Sequence, residues 1–268
     1  MSALPLPPRP APPALQRRAA SGAFAIAFQP IVDLARREVF GYEALGRRAG
    51  SDGAAALFAG LDPAAQADLE RRLARAALRA AAPMPGGQRL SINLGPSMLG
   101  DPIALHELHR HAQALGLDGR RIVFEFPESC PIARSAWRQA QRLLRDWGYA
   151  TAIDDFGAGY AGLELLADCA PDLIKIDIGL VRGIAADRAR QVIVAGLVSI
   201  AAQLGIALIA EGVETQADAA QLKSMGIVLQ QGYLYARAQV GRWPQPAPEV
   251  WAALSGRAID LRTDRNTA

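Results

Sequence analysis

The residues of this chain with the most chemistry in them recur at one kind of place. Glu43, Asn93, Glu125, the pair Asp154-Asp155, Glu211 and Gln231, with Lys175 among them, each lie at or near the end of a short β-forming run. A strand covered on both faces reads as a nearly unbroken apolar run, so each charged residue within it needs a reason. A single acid at a strand end is ordinarily a helix cap or a turn residue. Five acids gathered in a low-dielectric mouth are different, because they repel one another and each shifts toward its neutral form unless a cation is present. Divalent metal is the simplest stabiliser, and oxygen donors without His or Cys favour Mg2+ or Mn2+ over zinc. Adjacent Asp154 and Asp155 suit a bridging pair between two ions per site. Two ions so placed activate a water and neutralise the charge that develops during in-line attack at phosphorus.

Lys175 stands out because it and Lys223 are the only lysines in a chain whose other basic residues are all arginine. Alternation along its strand turns Leu173, Lys175 and Asp177 inward and Ile174, Ile176 and Ile178 toward covering helices. Lys175 then either serves the metal site or bridges the surplus acids, and both readings place it in the mouth.

The elements that must position these groups alternate between β-type and helical runs, as in a parallel sheet with crossover helices. The strand runs are Ala25–Asp33, Glu38–Leu45, Arg89–Leu94, Arg121–Phe126, Ala150–Asp155, Asp172–Ile178, Ile206–Glu211 and Val228–Tyr235. Helical runs lie between them, one opening at Asp62-Pro63 and others at Ile103–Leu115, Arg134–Trp147, Arg188–Leu204 and Gln216–Met225. The expected fold is α/β, a (β/α)8 TIM-like barrel whose C-terminal strand ends converge on one mouth. Leu34-Ala35-Arg36-Arg37 is too short for a crossover helix, so the first strand runs antiparallel in a hairpin. Residues 1–21 read as a disordered Pro/Ala/Arg-rich tail, 22–255 as the barrel domain and 256–268 as a polar tail.

With 268 residues, 51% of them apolar, the chain can bury one large core. The net charge of +3 is spread without a basic block, which argues against a DNA or RNA polymer as partner. No apolar run reaches the ~18 residues of a membrane span and no secretory signal opens the chain, so a cytoplasmic protein without membrane insertion is expected. Cys130 and Cys169 have neither metal nor redox spacing and read as reduced thiols. Gly157-Ala158-Gly159-Tyr160-Ala161-Gly162 matches a dinucleotide fingerprint, but the two carboxylates directly before it would repel a pyrophosphate. Asp155-Phe156-Gly157 lacks the catalytic loop of a kinase, and His106, His109 and His111 lack zinc spacing and read as a solvated helix face.

Phe28-Gln29-Pro30-Ile31-Val32, Glu43-Ala44-Leu45, Ser91-Ile92-Asn93-Leu94 and Glu125-Phe126-Pro127-Glu128 stand in the first half of the chain. Asp154-Asp155-Phe156-Gly157, Lys175-Ile176-Asp177, Glu211-Gly212-Val213-Glu214-Thr215 and Gln231-Gly232-Tyr233 follow. With these blocks in this order, the chain resembles the EAL-domain cyclic-di-GMP phosphodiesterases. The resemblance implies that Glu43, Asn93, Glu125 and Asp154 bind one metal and Asp154 and Asp155 a second, with Glu211 assisting. It implies that Lys175 and Gln231 position and help deprotonate the attacking water, that Gln29 and Arg47 contact substrate, and that Glu128 steadies the loop after the fifth strand. The implied reaction opens cyclic di-GMP to linear pGpG in a homodimer; the alternative it leaves is a non-catalytic receptor or interaction module on the same fold. Pro127, Ala158, Ala161 and Gly162 depart from the family by removing loop hydroxyls, and Gly46 replaces a bulkier apolar residue.

Overall fold

The computed structural model describes residues 24–48, 55–129, 132–159 and 162–254. The two tails, Cys130, Tyr160 and Ala161 lie outside them. Strands β1 (Phe24–Asp33) and β2 (Glu38–Arg48) form the expected antiparallel hairpin, and Arg37 closes its turn at φ 59°. Six parallel strands follow: β3 (Arg89–Asn93), β4 (Ile122–Pro127), β5 (Ala150–Phe156), β6 (Leu173–Ile176), β7 (Ala207–Ala210) and β8 (Leu229–Gln231). They run in the order β2 to β8, and β1 then pairs antiparallel with both β8 and β2, closing the barrel.

Two strand runs end at least two residues sooner than their sequence suggests. β6 stops at Ile176 because Asp177 caps the next helix, its side chain accepting from the Gly179 N–H at 2.8 Å. β8 stops at Gln231, after which Tyr235 turns into the helix-facing core and donates to Gln230. β2 instead overshoots, and its residues beyond Ala44 pair only with β1. A two-residue β9 (Gln239–Val240) adds to that projecting part of β1, pairing Val240 with Ala27. Nothing in its exposed sequence marked it as a strand.

Helices cover the barrel in chain order: α1 (Ala55–Phe58), α2 (Pro63–Ala80), α3 (Pro96–Leu99), α4 (Pro102–Ala114), α5 (Arg134–Asp146), α6 (Gly162–Asp168), α7 (Ile178–Val181), α8 (Arg188–Leu204), α9 (Gln216–Ser224) and α10 (Pro248–Leu254). Asp62 caps α2 by accepting from the Ala65 N–H at 2.8 Å, with Pro63 preset in the first turn. The outward strand faces pack beneath these helices in two large apolar clusters. A third, smaller cluster of Ile31, Val123, Ala152, Leu173, Ile209 and Leu229 fills the barrel interior. The barrel is therefore plugged below its mouth, and polar side chains one step further along each strand have a dry floor. Among the described residues no helix is long and apolar enough to cross a membrane.

The turn after β8 leaves no room for a side chain at Gly232, where a Cβ would overlap the Val213 backbone. Backbone cannot swing aside as a flexible side chain can. Gly232→Ala should therefore cost roughly 2 kcal/mol or more in urea unfolding, whereas Gly86→Ala, with open space around its Cβ and no positive φ, serves as the control for replacing a glycine as such.

Candidate active site

The mouth is built by one repeated offset. On β4 to β8 the interior apolar residue is followed two positions later by a polar one: Val123 by Glu125, Ala152 by Asp154, Leu173 by Lys175, Ile209 by Glu211 and Leu229 by Gln231. Two residues is one strand period, so both side chains share a face and the polar one stands above the plug. On antiparallel β1 the order reverses, and Gln29 stands above Ile31, opposite Glu43 on β2.

Lys175 occupies the centre, fully buried. Its Nζ lies 2.8 Å from Asp154 Oδ1, 2.8 Å from Glu211 Oε1, 3.1 Å from Glu125 Oε2 and 3.3 Å from Glu43 Oε2. Burial alone would pull the ammonium down, but the four carboxylates, Asp154 foremost, outweigh it and hold its pKa well above the lysine range. One cation does not balance this many acids. Desolvation, opposed by Lys175 and reinforced by Glu43 and Asp154, raises Glu125 to about 8. Burial likewise lifts Glu211 well above the glutamate range, and burial followed by the neighbouring Asp154 charge raises Asp155. Neutral side chains tie the rest: Asn93 Nδ2 donates to Glu43 Oε1 at 2.9 Å and Gln231 Nε2 to Glu43 Oε2 at 2.6 Å.

Two neighbours on a regular strand point to opposite faces, so Asp154 and Asp155 could not both enter the mouth without a distortion. The structure supplies one. The β5–β6 register slips between Ile153 and Phe156, and Asp155 adopts φ 54°, in the left-handed region. Such a bulge re-aims a side chain at a cost of order 1 kcal/mol or more. Asp is among the few residues that tolerate it.

The glycine loop that follows has its anion already. Glu128, buried at the end of β4, accepts from the Gly157 N–H at 2.7 Å and the Gly159 N–H at 3.2 Å. Amides that a dinucleotide-binding loop offers to a pyrophosphate here hold a carboxylate of the same chain, which ties the loop after β5 to β4.

Two cavities flank the acid ring. One of about 470 Å3 runs from Glu43, Asn93, Asp154 and Asp155 over Gly46 to Leu73, Ala77 and Phe58. The other, of about 320 Å3, joins Gln29, Glu43, Asp155, Glu211 and Gln231 to Asp177, Arg182 and Tyr233. Gly46 helps shape the first, because a Cβ there would crowd Leu73 and Leu57 at 2.8 and 2.9 Å. Arg47 shares the Glu43 face of β2 but lines neither cavity, and its Nη1 donates to the Gly46 carbonyl at 3.0 Å.

Sequence reasoning missed Glu70, which enters the larger cavity from α2 and accepts from Ser97 Oγ. Its signal was an acid on the inward stripe otherwise made by Leu73, Ala74 and Ala77. It missed Tyr233 too, a half-exposed ring with the Arg237 guanidinium 3.9 Å from its centroid. The histidines need correction. His109 and His111 are half-buried, since His109 stacks on Trp147 at 4.4 Å and its Nδ1 lies 2.8 Å from the Tyr149 hydroxyl. Only His106 is exposed.

The donors fit divalent metal. Ligand oxygens of Glu43, Glu125 and Asp154 come within 4.8 Å of one another, as do those of Asp154, Asp155 and Glu211, so Asp154 is common to both groups. Glu125 Oε1 and Gln231 Oε1 are buried without a hydrogen-bond partner, which leaves both free to serve as ligand or acceptor atoms. All-oxygen donors suit a hard cation.

A family model described as the EAL domain matches residues 13–238. The blue light- and temperature-regulated antirepressor BluF of Escherichia coli is 34% identical over 82% of this chain, which spans 56% of BluF. The cyclic di-GMP phosphodiesterase RocR of Pseudomonas aeruginosa is 32% identical over 55% of the chain, covering 38% of RocR. Among solved structures, a standalone EAL protein of Vibrio cholerae in its c-di-GMP-bound form superposes with a TM-score of 0.80 at 33% identity, covering 86% of this chain and 98% of that one. Klebsiella pneumoniae BlrP1, as a calcium and cyclic-diGMP complex, gives 0.79 at 35% identity over 85% and 58%.

The raised acids fix a sign. Glu125, Glu211 and Asp155 hold their protons more tightly folded than unfolded, so the folded chain binds more protons and its stability falls as pH rises from about 4.5 to about 8. In chelator, the unfolding temperature should drop between pH 5.5 and pH 8.5. A profile that rises over that interval would show the ring already ionised at low pH.

Proposed function

This chain belongs to the EAL domain family, and on that footing we propose that it is a phosphodiesterase that hydrolyses cyclic di-GMP to linear pGpG with two divalent cations. The observation that carries the reading is the pair of carboxylate groups meeting at Asp154, with a cavity on each side. A cyclic dinucleotide has two guanosine halves about a phosphodiester ring, and two lobes about a line of metal ligands match that shape. The BlrP1 and Vibrio structures were solved with this ligand, BlrP1 also with manganese.

Glu43, Asn93, Glu125 and Asp154 would hold one Mg2+ or Mn2+, and Asp154, Asp155 and Glu211 the other. Bound there, the ions supply Lewis acidity that eases ionisation of water and charge build-up on phosphate oxygens. Gln231 commits its Nε2 to Glu43, which leaves Oε1 as the acceptor that orients the attacking water. Lys175 stays charged while four carboxylates face it; were those carboxylates shared with bound ions, burial would favour the neutral amine, and Nζ would then be able to take a proton from water. Gln29 lines the smaller cavity toward substrate. Arg47 would reach it by releasing the Gly46 carbonyl. Glu128 keeps Asp155 in register by fixing the loop behind it. Pairing of two copies through that loop, and residence in the cytoplasm, complete the reading.

A second reading is a receptor without turnover, favoured by BluF, a relative whose name is that of an antirepressor. Hydrolysis separates the two. The purified chain with cyclic di-GMP and Mn2+ should yield pGpG by chromatography; tight binding without product at any protein concentration would establish the receptor. Glu43→Gln removes one ligand charge without removing volume, so activity should fall at least about 100-fold, as for loss of a few kcal/mol of transition-state stabilisation. Its unfolding midpoint in chelator should hold or rise, since acid repulsion is relieved; a collapsed fold would mark Glu43 as structural.

A further inference from the structure

One face of α5 carries more positive charge than its neighbours match. Arg134, Arg138, Arg142 and Arg145 follow one another at intervals of four, four and three residues, which places them on the same side of the helix. No two are adjacent in sequence, so they form a stripe without forming a basic run. Arg134 is answered from α6, lying 2.7 Å from both Glu164 and Asp168. Further along the helix the acids run out. Arg138 reaches the same Asp168 only at 3.4 Å, and Arg145 donates to the Ala170 carbonyl at 3.1 Å. Arg142 is exposed and has neither ion pair nor hydrogen bond among the described residues. Like charges one turn apart on a helix repel, and an anion shared between them removes that repulsion.

Arg138, Arg142 and Arg145 line a recess of about 510 Å3, in whose wall Asp168 is the one carboxylate. Gln141, buried at its floor, donates to the Ala170 carbonyl at 2.7 Å, so that acceptor already has two donors. Ser135 adds a hydroxyl to the lining. Asp146, next to Arg145, is turned about 100° away round the helix and is not part of the wall.

We propose that this recess binds a short phosphate chain, a diphosphate or triphosphate, free or carried by a nucleotide. Guanidinium groups offer phosphate oxygens paired N–H donors and keep their charge throughout the physiological pH range. Arg138 and Arg145 are seven residues apart, about 10 Å along the axis. A single phosphate can therefore bridge neighbouring guanidiniums, whereas a chain can meet all three. No aromatic side chain lines the recess, so a base has nothing to stack on and the phosphates carry the affinity. The recess shares no residue with either cavity of the acid ring, and the proposal stands whether or not the chain hydrolyses anything.

The test titrates the full chain, freed of metal and at low ionic strength, with sodium triphosphate, orthophosphate and ATP in a calorimeter. Triphosphate should saturate one site per chain and bind at least about tenfold tighter than orthophosphate, with ATP no more than about threefold tighter than triphosphate. Arg142→Gln removes a guanidinium that holds nothing else in the fold and should weaken triphosphate about tenfold, as for loss of one charge-assisted hydrogen bond. Arg188→Gln makes the same charge change at an exposed position on α8 and should leave the affinity within about twofold. Absence of saturable binding, orthophosphate binding as tightly as triphosphate, or equal losses in the two variants would overturn the proposal. So would a larger preference for ATP, which would place the base, and not the phosphates, in the site.

Discussion

A surplus of buried carboxylate around one buried ammonium governs this structure. Glu43, Glu125, Asp154 and Glu211 all lie within 3.3 Å of Lys175 Nζ, and Asp155 stands beside them. A buried ion pair is favourable only when charges and remaining lone pairs are matched. Here they are not, and the residual charge appears as carboxyl groups lifted toward neutrality and as the unpartnered Oε1 of Glu125. A site so poised is a store of affinity for further positive charge. A divalent cation bound there would offset the surplus.

Every other feature of the mouth serves to keep that surplus in place. The apolar plug from Ile31 to Leu229 denies the acids water from below. The bulge in β5 brings Asp155 to the same side as Asp154. Glu128 pins the following loop through two amides, and Asn93 and Gln231 hold both oxygens of Glu43. Turning off the first strand from the parallel pattern sets Gln29 opposite Glu43, where a parallel strand would have carried the same residue to the far end of the barrel.

Much of this was legible in the sequence because strand periodicity maps position to face. Val123-x-Glu125 and Leu173-x-Lys175 state a floor and a functional group two residues apart, and the short Leu34 to Arg37 connection dictates a hairpin. The helix start at Asp62-Pro63 was visible as a cap. What stayed hidden depends on tertiary meetings. Glu70 enters the site from a helix, β9 exists only because β1 projects past β8, and the half-burial of His109 needs Trp147 from another element. Adjacent Asp154 and Asp155 suggested a shared role, but periodicity alone sends them to opposite faces; only the bulge resolves that conflict.

The stoichiometry of manganese binding tests the central claim most directly. If the surplus acids form two cation sites joined at Asp154, calorimetric titration of the metal-free chain should find two Mn2+ per chain, and Asp155→Asn should retain one. Binding of no ion to the wild-type chain would contradict the account, because Lys175 would then be the only cation the ring was built to hold.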